Sequence, residues 1–290
     1  MFIIKLLGGL GNQMFQYSFG KALGLKYDHI VKFDLSFFEN SKKRKFELDL
    51  FDLNLTIASK EEIFYHNYKK NLISRLINKN FDRFFPLNFR LKIKEKSLVF
   101  DKRIYNHRYK KNKRYYFEGY WQNINYFQEF EKEIKKDFIF KYPLNAKSEQ
   151  LKKIIISKES ISIHIRRGDY LNDPLLNSLD ISYYKNAVEL ILSKIPNASF
   201  FIFSDDINWA KDNLKFNNEM LFIDFNIGKD SWQDLALMSL CKHNIIANSS
   251  FSWQAAWLNN NPDKIVIAPI NWFKDKNIKH DIIPENWQKI

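Results

Sequence analysis

Two arginines stand side by side in the segment His164-Ile165-Arg166-Arg167-Gly168-Asp169, and from residue 146 to the C-terminus they are the only arginines, against 15 lysines. A surface that needs only solubility can use lysine, so the pair points to a use for the planar guanidinium fork, which grips phosphate oxygens two at a time. The plain alternative is a surface ion pair. Ser204-Asp205-Asp206 offers two carboxylates that can accept hydrogen bonds from a ribose or a base edge, cap a helix, or ligate a metal. The pair has no further acidic partners, so no metal is expected. Asn248-Ser249-Ser250-Phe251-Ser252 places an amide and three hydroxyls before a helix, where backbone N–H groups and the helix dipole make an anion site. Capping explains one of those serines and does not easily explain three.

The glycine-rich stretch Gly8-Gly9-Leu10-Gly11-Asn12-Gln13 has Met14 where a dinucleotide fingerprint needs its third glycine. It reads instead as a tight turn or a close backbone approach to a ligand, with Asn12 at a helix start facing a crevice. A simple turn and cap would look the same. His164 falls opposite Ile161, Ile163 and Ile165 in strand alternation, two residues before Arg166, and is either a crevice-floor group or a satisfied core histidine.

These residues need elements to bring them together. From 160 onward the pattern alternates: strands over 160–165, 199–203, 220–224, 244–247 and 264–268, and helices over about 182–194, 207–214, 231–241 and 252–259. Such alternation predicts a parallel sheet with right-handed crossovers, covered on both faces. Ligands bind such sheets outside the carboxyl ends of the strands, where the arginines, the carboxylates and the serine turn all fall. The strand 160–165, half-buried by its alternation, thus delivers Arg166 and Arg167 to a ligand crevice. The first half opens on a second β-loop-α-β unit: strand 2–7, the glycine stretch, a helix over about 14–25 and a strand over 30–33. Residues 40–115 are rich in lysine, asparagine and phenylalanine and less periodic, apart from a basic amphipathic stretch over 60–85. The junction is expected near 141–148, dividing the chain into an N-terminal domain 1–145 and a C-terminal domain 146–290.

Composition sets the outer bounds. With 290 residues, 45% hydrophobic and 17% aromatic, the chain is globular and long enough for two modest cores. One cysteine, Cys241, excludes an intramolecular disulfide and fits a reducing compartment. The apolar run at the N-terminus is short and broken by glycines, and nothing approaches a membrane span, so neither a signal peptide nor a transmembrane helix is expected. The net charge of +13 is confined to residues 1–145, which hold 29 Lys+Arg against 16 Asp+Glu, whereas 146–290 hold 17 of each. There is no P-loop motif and no nucleophile elbow, which argues against a P-loop kinase or an elbow hydrolase.

Taken in order, GGLGNQMFQYSFGKAL, FEGYWQNINYF, HIRRGDY, FIFSDD and ANSSFSWQAAWLN resemble the bacterial α-1,2-fucosyltransferases of glycosyltransferase family 11, through most of the chain. The resemblance implies an α/β, GT-B-like fold of two Rossmann-type domains facing a cleft, with GDP-β-L-fucose as donor substrate held by the second domain. It implies metal-independent inversion to an α-L-fucoside, with no cofactor. It assigns Arg166 to the donor pyrophosphate with Arg167 beside it, and His164 with Asp205 or Asp206 to the guanine. Gly11 and Asn12 fall to the donor phosphate or the acceptor, and Asn248, Ser249, Ser250 or Ser252 to phosphate. The expected acceptor is a galactose-terminated glycan or a lipid-linked oligosaccharide such as an O-antigen unit. The expected setting is the bacterial cytoplasm, with peripheral contact at the inner face of an anionic membrane through the basic half. The general base is open among Asp34, Glu118 and Asp169, by carboxylate chemistry alone. Rival readings are another GDP-sugar-dependent glycosyltransferase and a non-catalytic nucleotide-binding protein. A nucleic-acid role, suggested by the pI near 9.5, lacks any stacking-platform motif and is not expected.

Overall fold

The structure, a computed structural model, describes residues 1–67 and 91–290. The basic amphipathic stretch over 60–85 lies from residue 68 onward outside the described residues. The chain divides into two compact units, Met1–Lys141 with His280–Ile282, and Tyr142–Lys279 with Ile283–Ile290. A single cut near residue 145 therefore misses one feature. The segment 280–282 returns to the first unit, where Phe100 N–H donates to both oxygens of Asp281 at 3.1 and 3.0 Å and the Asn123 amide bonds the Asp281 backbone carbonyl and carboxylate.

In the first unit β1 (Phe2–Lys5), β2 (Val31–Asp34), β3 (Lys92–Lys94) and β4 (Tyr115–Glu118) form a parallel sheet in the order β2-β1-β4-β3. The first helix runs from Leu10 to Tyr27, four residues earlier than its periodicity suggests. Gly9 is already the N-cap, so Gly11 and Asn12 lie in the first helical turn and not in a loop before it. Met14, Phe15, Phe19 and Leu23 are all fully buried along this helix, the mark of a helix covered on most sides. Its approach to the sheet needs glycine: a Cβ on Gly20 would stand 2.7 Å from Ile4, and one on Gly24 2.5 Å from Val31. An aromatic core fills the other side, with Phe19 stacked on Trp121 at 4.1 Å between ring centroids.

The second unit holds β5 (Ser160–Ile165), β6 (Ser199–Ser204), β7 (Met220–Ile223), β8 (His243–Ile245), β9 (Val266–Ala268) and β10 (Gln288–Lys289) in the order β10-β9-β8-β5-β6-β7, all parallel. The helices Ile181–Leu192, Ile207–Asn213, Trp232–Leu240 and Ser250–Leu258 connect them, within two residues of the expected bounds. The strand β5 is not half-buried: all six residues are buried. Ile161, Ile163 and Ile165 pack on Tyr184, Val188 and Ile191. On the opposite face the Ser162 hydroxyl accepts from Asn244 at 2.7 Å, so that polar residue is satisfied inside the protein and not by solvent. Successive strands run one way from β5 through β6 to β7, and the other way from β8 through β9 to β10. The order reverses between β5 and β8, the place where parallel sheets open a crevice. In the first unit the corresponding break lies between β1 and β4.

Replacing Asp281 by alanine removes a carboxylate that serves one backbone donor, Phe100 N–H, and one side-chain donor, the Asn123 amide. Urea unfolding of Asp281→Ala is expected to show a loss of about 1.5–3 kcal/mol, the usual size for hydrogen bonds to a charged group; an unchanged midpoint would show that the returning segment does not brace the first unit.

Candidate functional site

The pairing of Ile165 with Ser204 sets Arg166 beside Asp205 as both strands end. The Asp205 carboxylate accepts from Arg167 N–H at 2.8 Å and lies 3.2 Å from Arg166 Nε. A Cβ on Gly168 would meet its Oδ2 at 2.6 Å, so the turn wraps closely round this carboxylate. Arg166 also bonds Asp169 through Nη2 at 2.7 Å and Nε at 3.1 Å, and its guanidinium stands 5.4 Å from the centre of the Tyr170 ring. The side chain of Arg166 remains 26% exposed, and it sits on the β5 side of the order reversal.

Arg167 is engaged differently. Its Nε donates to Asp206 at 3.1 Å, Nη1 reaches Ser178 at 3.4 Å, and the guanidinium lies 4.1 Å over the Trp209 ring. Asp206 in turn caps the helix Ile207–Asn213 by accepting from Trp209 N–H at 3.2 Å. The two adjacent arginines thus divide the work: Arg167 binds the turn to the following helix, and Arg166 is the more open fork. Asp205 and Asp206 are both engaged by these arginines.

His164 lies on the layer behind them, 5% exposed, with its ring 5.8 Å from that of Phe251. Burial, and secondarily the charge of Arg166, lowers its pKa to about 3, so the imidazole is neutral at any physiological pH. Its buried Nδ1 has no protein hydrogen-bond partner.

Across the reversal, the serine turn is largely its own cap. Ser249 Oγ accepts from Phe251 N–H at 3.3 Å, and Ser252 Oγ donates to the Ser249 carbonyl at 3.3 Å. Asn248 is buried and donates to the carbonyls of Asn177 and Trp272, both at 2.9 Å, pinning two neighbouring loops. Of these four residues Ser250, the first of its helix, is partly exposed and the other three are buried. Sequence reading missed Asp234, whose carboxylate accepts from Asn226 at 2.8 Å and is raised by burial to about 7. A lone aspartate within an apolar helix is weak as a sequence signal.

In the first unit the glycine turn is fastened from below. Gly8 has φ +81°, and a Cβ there would also strike the Asn12 amide at 2.5 Å, so two constraints demand glycine. Asn12 Oδ1 accepts from Gln122 at 2.6 Å. Gln13 and Gln16, both fully buried, act as clasps. Gln13 donates to the carbonyls of Gly8 and Lys45 and accepts from Glu47 N–H, and Gln16 accepts from Leu7 N–H and donates to the Gly119 carbonyl. The loops after β1 and β4 are therefore joined across their order reversal.

The three carboxylates expected as bases are each engaged. Asp34 is 0% exposed and accepts from Ser36 N–H at 2.8 Å and from the Tyr116 hydroxyl at 2.5 Å. Burial works to raise Glu118, but Lys92, Lys5 and Lys94 outweigh it and leave its pKa below the ordinary glutamate value. Asp169 is the ion-pair partner of Arg166 in the second unit. Two glutamates not foreseen, Glu47 and Glu95, are raised by burial. Glu95 holds the turn after β4, accepting from Tyr120 N–H at 2.7 Å and Trp121 N–H at 3.1 Å, and Trp121 takes φ +56° there.

Among the described residues no helix is long and apolar enough to cross a membrane. Comparison with known proteins gives a consistent result. The chain is 35% identical to an α-1,2-colitosyltransferase of Escherichia coli over 99% of its own length and 98% of the relative's. It is 31% identical to the O-antigen biosynthesis glycosyltransferase WbnK of Escherichia coli over 97% and 98%. Among solved structures it is similar to the α-1,6-fucosyltransferase NodZ soaked with GDP-fucose, with TM-score 0.53 and 11% identity over 89% of this chain and 91% of that one. It is also similar to a variant of Arabidopsis thaliana FUT1 in complex with GDP, with TM-score 0.53 and 12% identity over 93% and 71%. The α/β fold with two parallel sheets is thus the GT-B-like fold of these fucosyltransferases. With the model of glycosyl transferase family 11 matching residues 1–290, the chain belongs to that family.

Proposed function

We propose that the protein transfers L-fucose from GDP-β-L-fucose to a galactoside hydroxyl of a glycan, with inversion, forming an α-1,2 linkage without a metal ion. The observation that carries this reading is the open guanidinium of Arg166 at the order reversal of the second sheet, with neutral His164 in the layer behind it. When the bond from the anomeric carbon to the β-phosphate oxygen breaks, negative charge grows on that phosphate while the sugar becomes oxocarbenium-like. A fixed guanidinium aimed at the departing oxygen stabilises that charge, and losing one such donor costs about 2.7–4 kcal/mol. Asp205 holds the backbone of the turn, so the fork is in place before the donor arrives. Asp169 is the more exposed of the two carboxylates on Arg166 and is the one a pyrophosphate would displace.

A second donor reading has a specific observation behind it, the 35% identity to an α-1,2-colitosyltransferase. Released GDP, measured with GDP-fucose, GDP-colitose and other GDP-sugars in turn, separates the two. Turnover with none of them would instead favour the binding-protein reading. The acceptor is proposed to be a lipid-linked oligosaccharide of the O-antigen type, which would bring the enzyme to the cytoplasmic face of the membrane. The basic first half, which carries all of the +13 charge, would hold it there by attraction of about 1 kcal/mol per basic residue near an anionic surface. Co-sedimentation with anionic vesicles that weakens with salt is the expected result, and no binding at low salt overturns the membrane contact.

Arg166→Lys keeps the charge and loses the fork, so kcat is expected to fall about 100-fold or more in a variant that melts like the parent. Near-normal turnover would remove Arg166 from the phosphate. Activity is expected to survive excess EDTA, since arginine supplies the charge a divalent ion would; a loss restored by Mg²⁺ or Mn²⁺ would overturn the metal-free mechanism.

A further inference from the structure

We propose that Tyr170 gates the donor site of the second unit: together with Asp169 it forms a strap across the order reversal, which a nucleoside diphosphate must lift to reach Arg166. The inference rests on the reading of Arg166 as the phosphate-binding group and adds to it a control on entry.

The strap follows from strand register. β5 and β8 are neighbours whose last paired residues are Ile163 and Ile245, and Arg166 and Asn248 each stand three residues beyond that pair, on the two sides of the reversal. Tyr170 reaches from one side to the other. Its ring centre lies 5.4 Å from the Arg166 guanidinium, a distance at which a cation and a ring face attract. Its hydroxyl donates to the Asn248 carbonyl at 3.4 Å. The neighbouring Asp169 occupies the fork itself, accepting from Nη2 at 2.7 Å and Nε at 3.1 Å. A ligand entering between the ends of β5 and β8 therefore meets Tyr170, and a phosphate oxygen seeking the fork meets Asp169. Both belong to one short turn, Asp169–Asn172.

The turn is built to move between fixed ends. Before it, Arg167 is bonded to Asp206 and lies over Trp209. After it, the Asp173 carboxylate accepts from Leu175 and Leu176 N–H, both at 2.8 Å, and the Asp173 carbonyl accepts from Lys274. Between these anchors Gly168, Asp169, Leu171 and Asn172 are exposed. The turn also closes on itself, with Leu171 N–H on the Arg167 carbonyl at 2.9 Å and Asp173 N–H on the Tyr170 carbonyl at 3.3 Å. A short exposed segment that carries its own hydrogen bonds can swing as a unit about such ends. The far wall is rigid by contrast: Asn248 is buried, and its amide bonds the carbonyls of Asn177 and Trp272. The Tyr170 bond to that wall exceeds the usual limit of about 3 Å for a hydroxyl donor, so it opens at small cost. Tyr183, whose hydroxyl donates to the Ile246 carbonyl at 2.6 Å, shows the form a permanent brace takes in the same unit.

GDP binding to the whole protein, followed by calorimetry and stopped flow, decides the role by its sign. A gate divides the apparent affinity by the rarity of the open form, so loosening it strengthens binding, whereas loss of a group that holds the bound ligand weakens it. Tyr170→Phe keeps the ring on Arg166 and removes the hydroxyl. It is expected to tighten GDP binding about two- to ten-fold, the worth of one hydrogen bond, through faster association at an unchanged dissociation rate, since the strap is absent from the bound state. Unchanged or weaker affinity, or a gain confined to slower dissociation, overturns the gate. Should Tyr170→Phe fail to fold, Tyr170→Leu, which withdraws both hydroxyl and ring, is read by the same criterion. A parent that binds neither GDP nor inorganic pyrophosphate fails the phosphate reading of Arg166, and the gate with it. A parent that binds GDP, loses it in Arg166→Lys and is indifferent to Tyr170→Phe fails the gate alone.

Discussion

A parallel sheet covered on both faces leaves little room for polar chemistry except where its strands stop. Both units of this chain obey that constraint. The β5 strand is buried along its whole length, and charge appears within one residue of its end, at Arg166. The β1 strand ends at Lys5, and the glycine turn follows within three residues. Because neighbouring strands end in register, side chains distant in sequence become neighbours there: Ile165 with Ser204 brings Arg166 to Asp205, and Lys94 with Glu118 brings three lysines round one carboxylate. The functional edge is a consequence of strand register, and the loops are then fastened to it.

The fastening is done by side chains with exact hydrogen-bond demands, buried ones at Gln13, Gln16 and Asn248 and a more exposed one at Asp205. Asp205 grips the backbone of the arginine turn, Gln13 and Gln16 grip the glycine turn, and Asn248 grips the loops at Asn177 and Trp272. A buried polar group left unpaired costs about 1–3 kcal/mol. Each clasp therefore penalises any loop position but one, which is how a site on loops acquires the rigidity of a core.

This distinction explains what the sequence could and could not tell. The alternation of strands and helices after residue 160 was legible because strands such as β6, β7 and β9 are short apolar runs bounded by polar turns, and helix bounds were off by no more than two residues, whereas β10, Gln288–Lys289, has no apolar residue and was not foreseen. The start of the first helix was misjudged because glycines read as loop, whereas Gly11 is there inside a helix whose N-cap is Gly9. Residue type alone marked Arg166 and Arg167 equally. Their separation into an open fork and a structural clasp depends on Trp209 and Asp206, which fix Arg167, and that is visible only once the helix after β6 is placed. For the serines after β8, residue type likewise does not show that Ser249 and Ser252 bond to their own turn. Glu47 stood within a stretch of low periodicity, flanked by exposed lysines, and nothing in its spacing connected it to Gln13, 34 positions earlier.

The same reasoning separates the two arrangements of charge in the chain. In the first unit Lys42, Lys43, Arg44, Lys45, Lys110, Lys111 and Arg114 are exposed outside the strands and helices, where water and salt screen them. In the second unit positive charge is scarce at the site and is tightly paired, with Asp169 and Asp205 both on Arg166. In the reading proposed above, Asp205 keeps the direction of the fork and Asp169 gives way to a phosphate oxygen, an exchange that would leave the number of charge-assisted bonds nearly constant. With His164 lowered by burial and by the same arginine, the imidazole adds no positive charge there, and the charges at the strand end are those of Arg166, Arg167 and the carboxylates that pair with them.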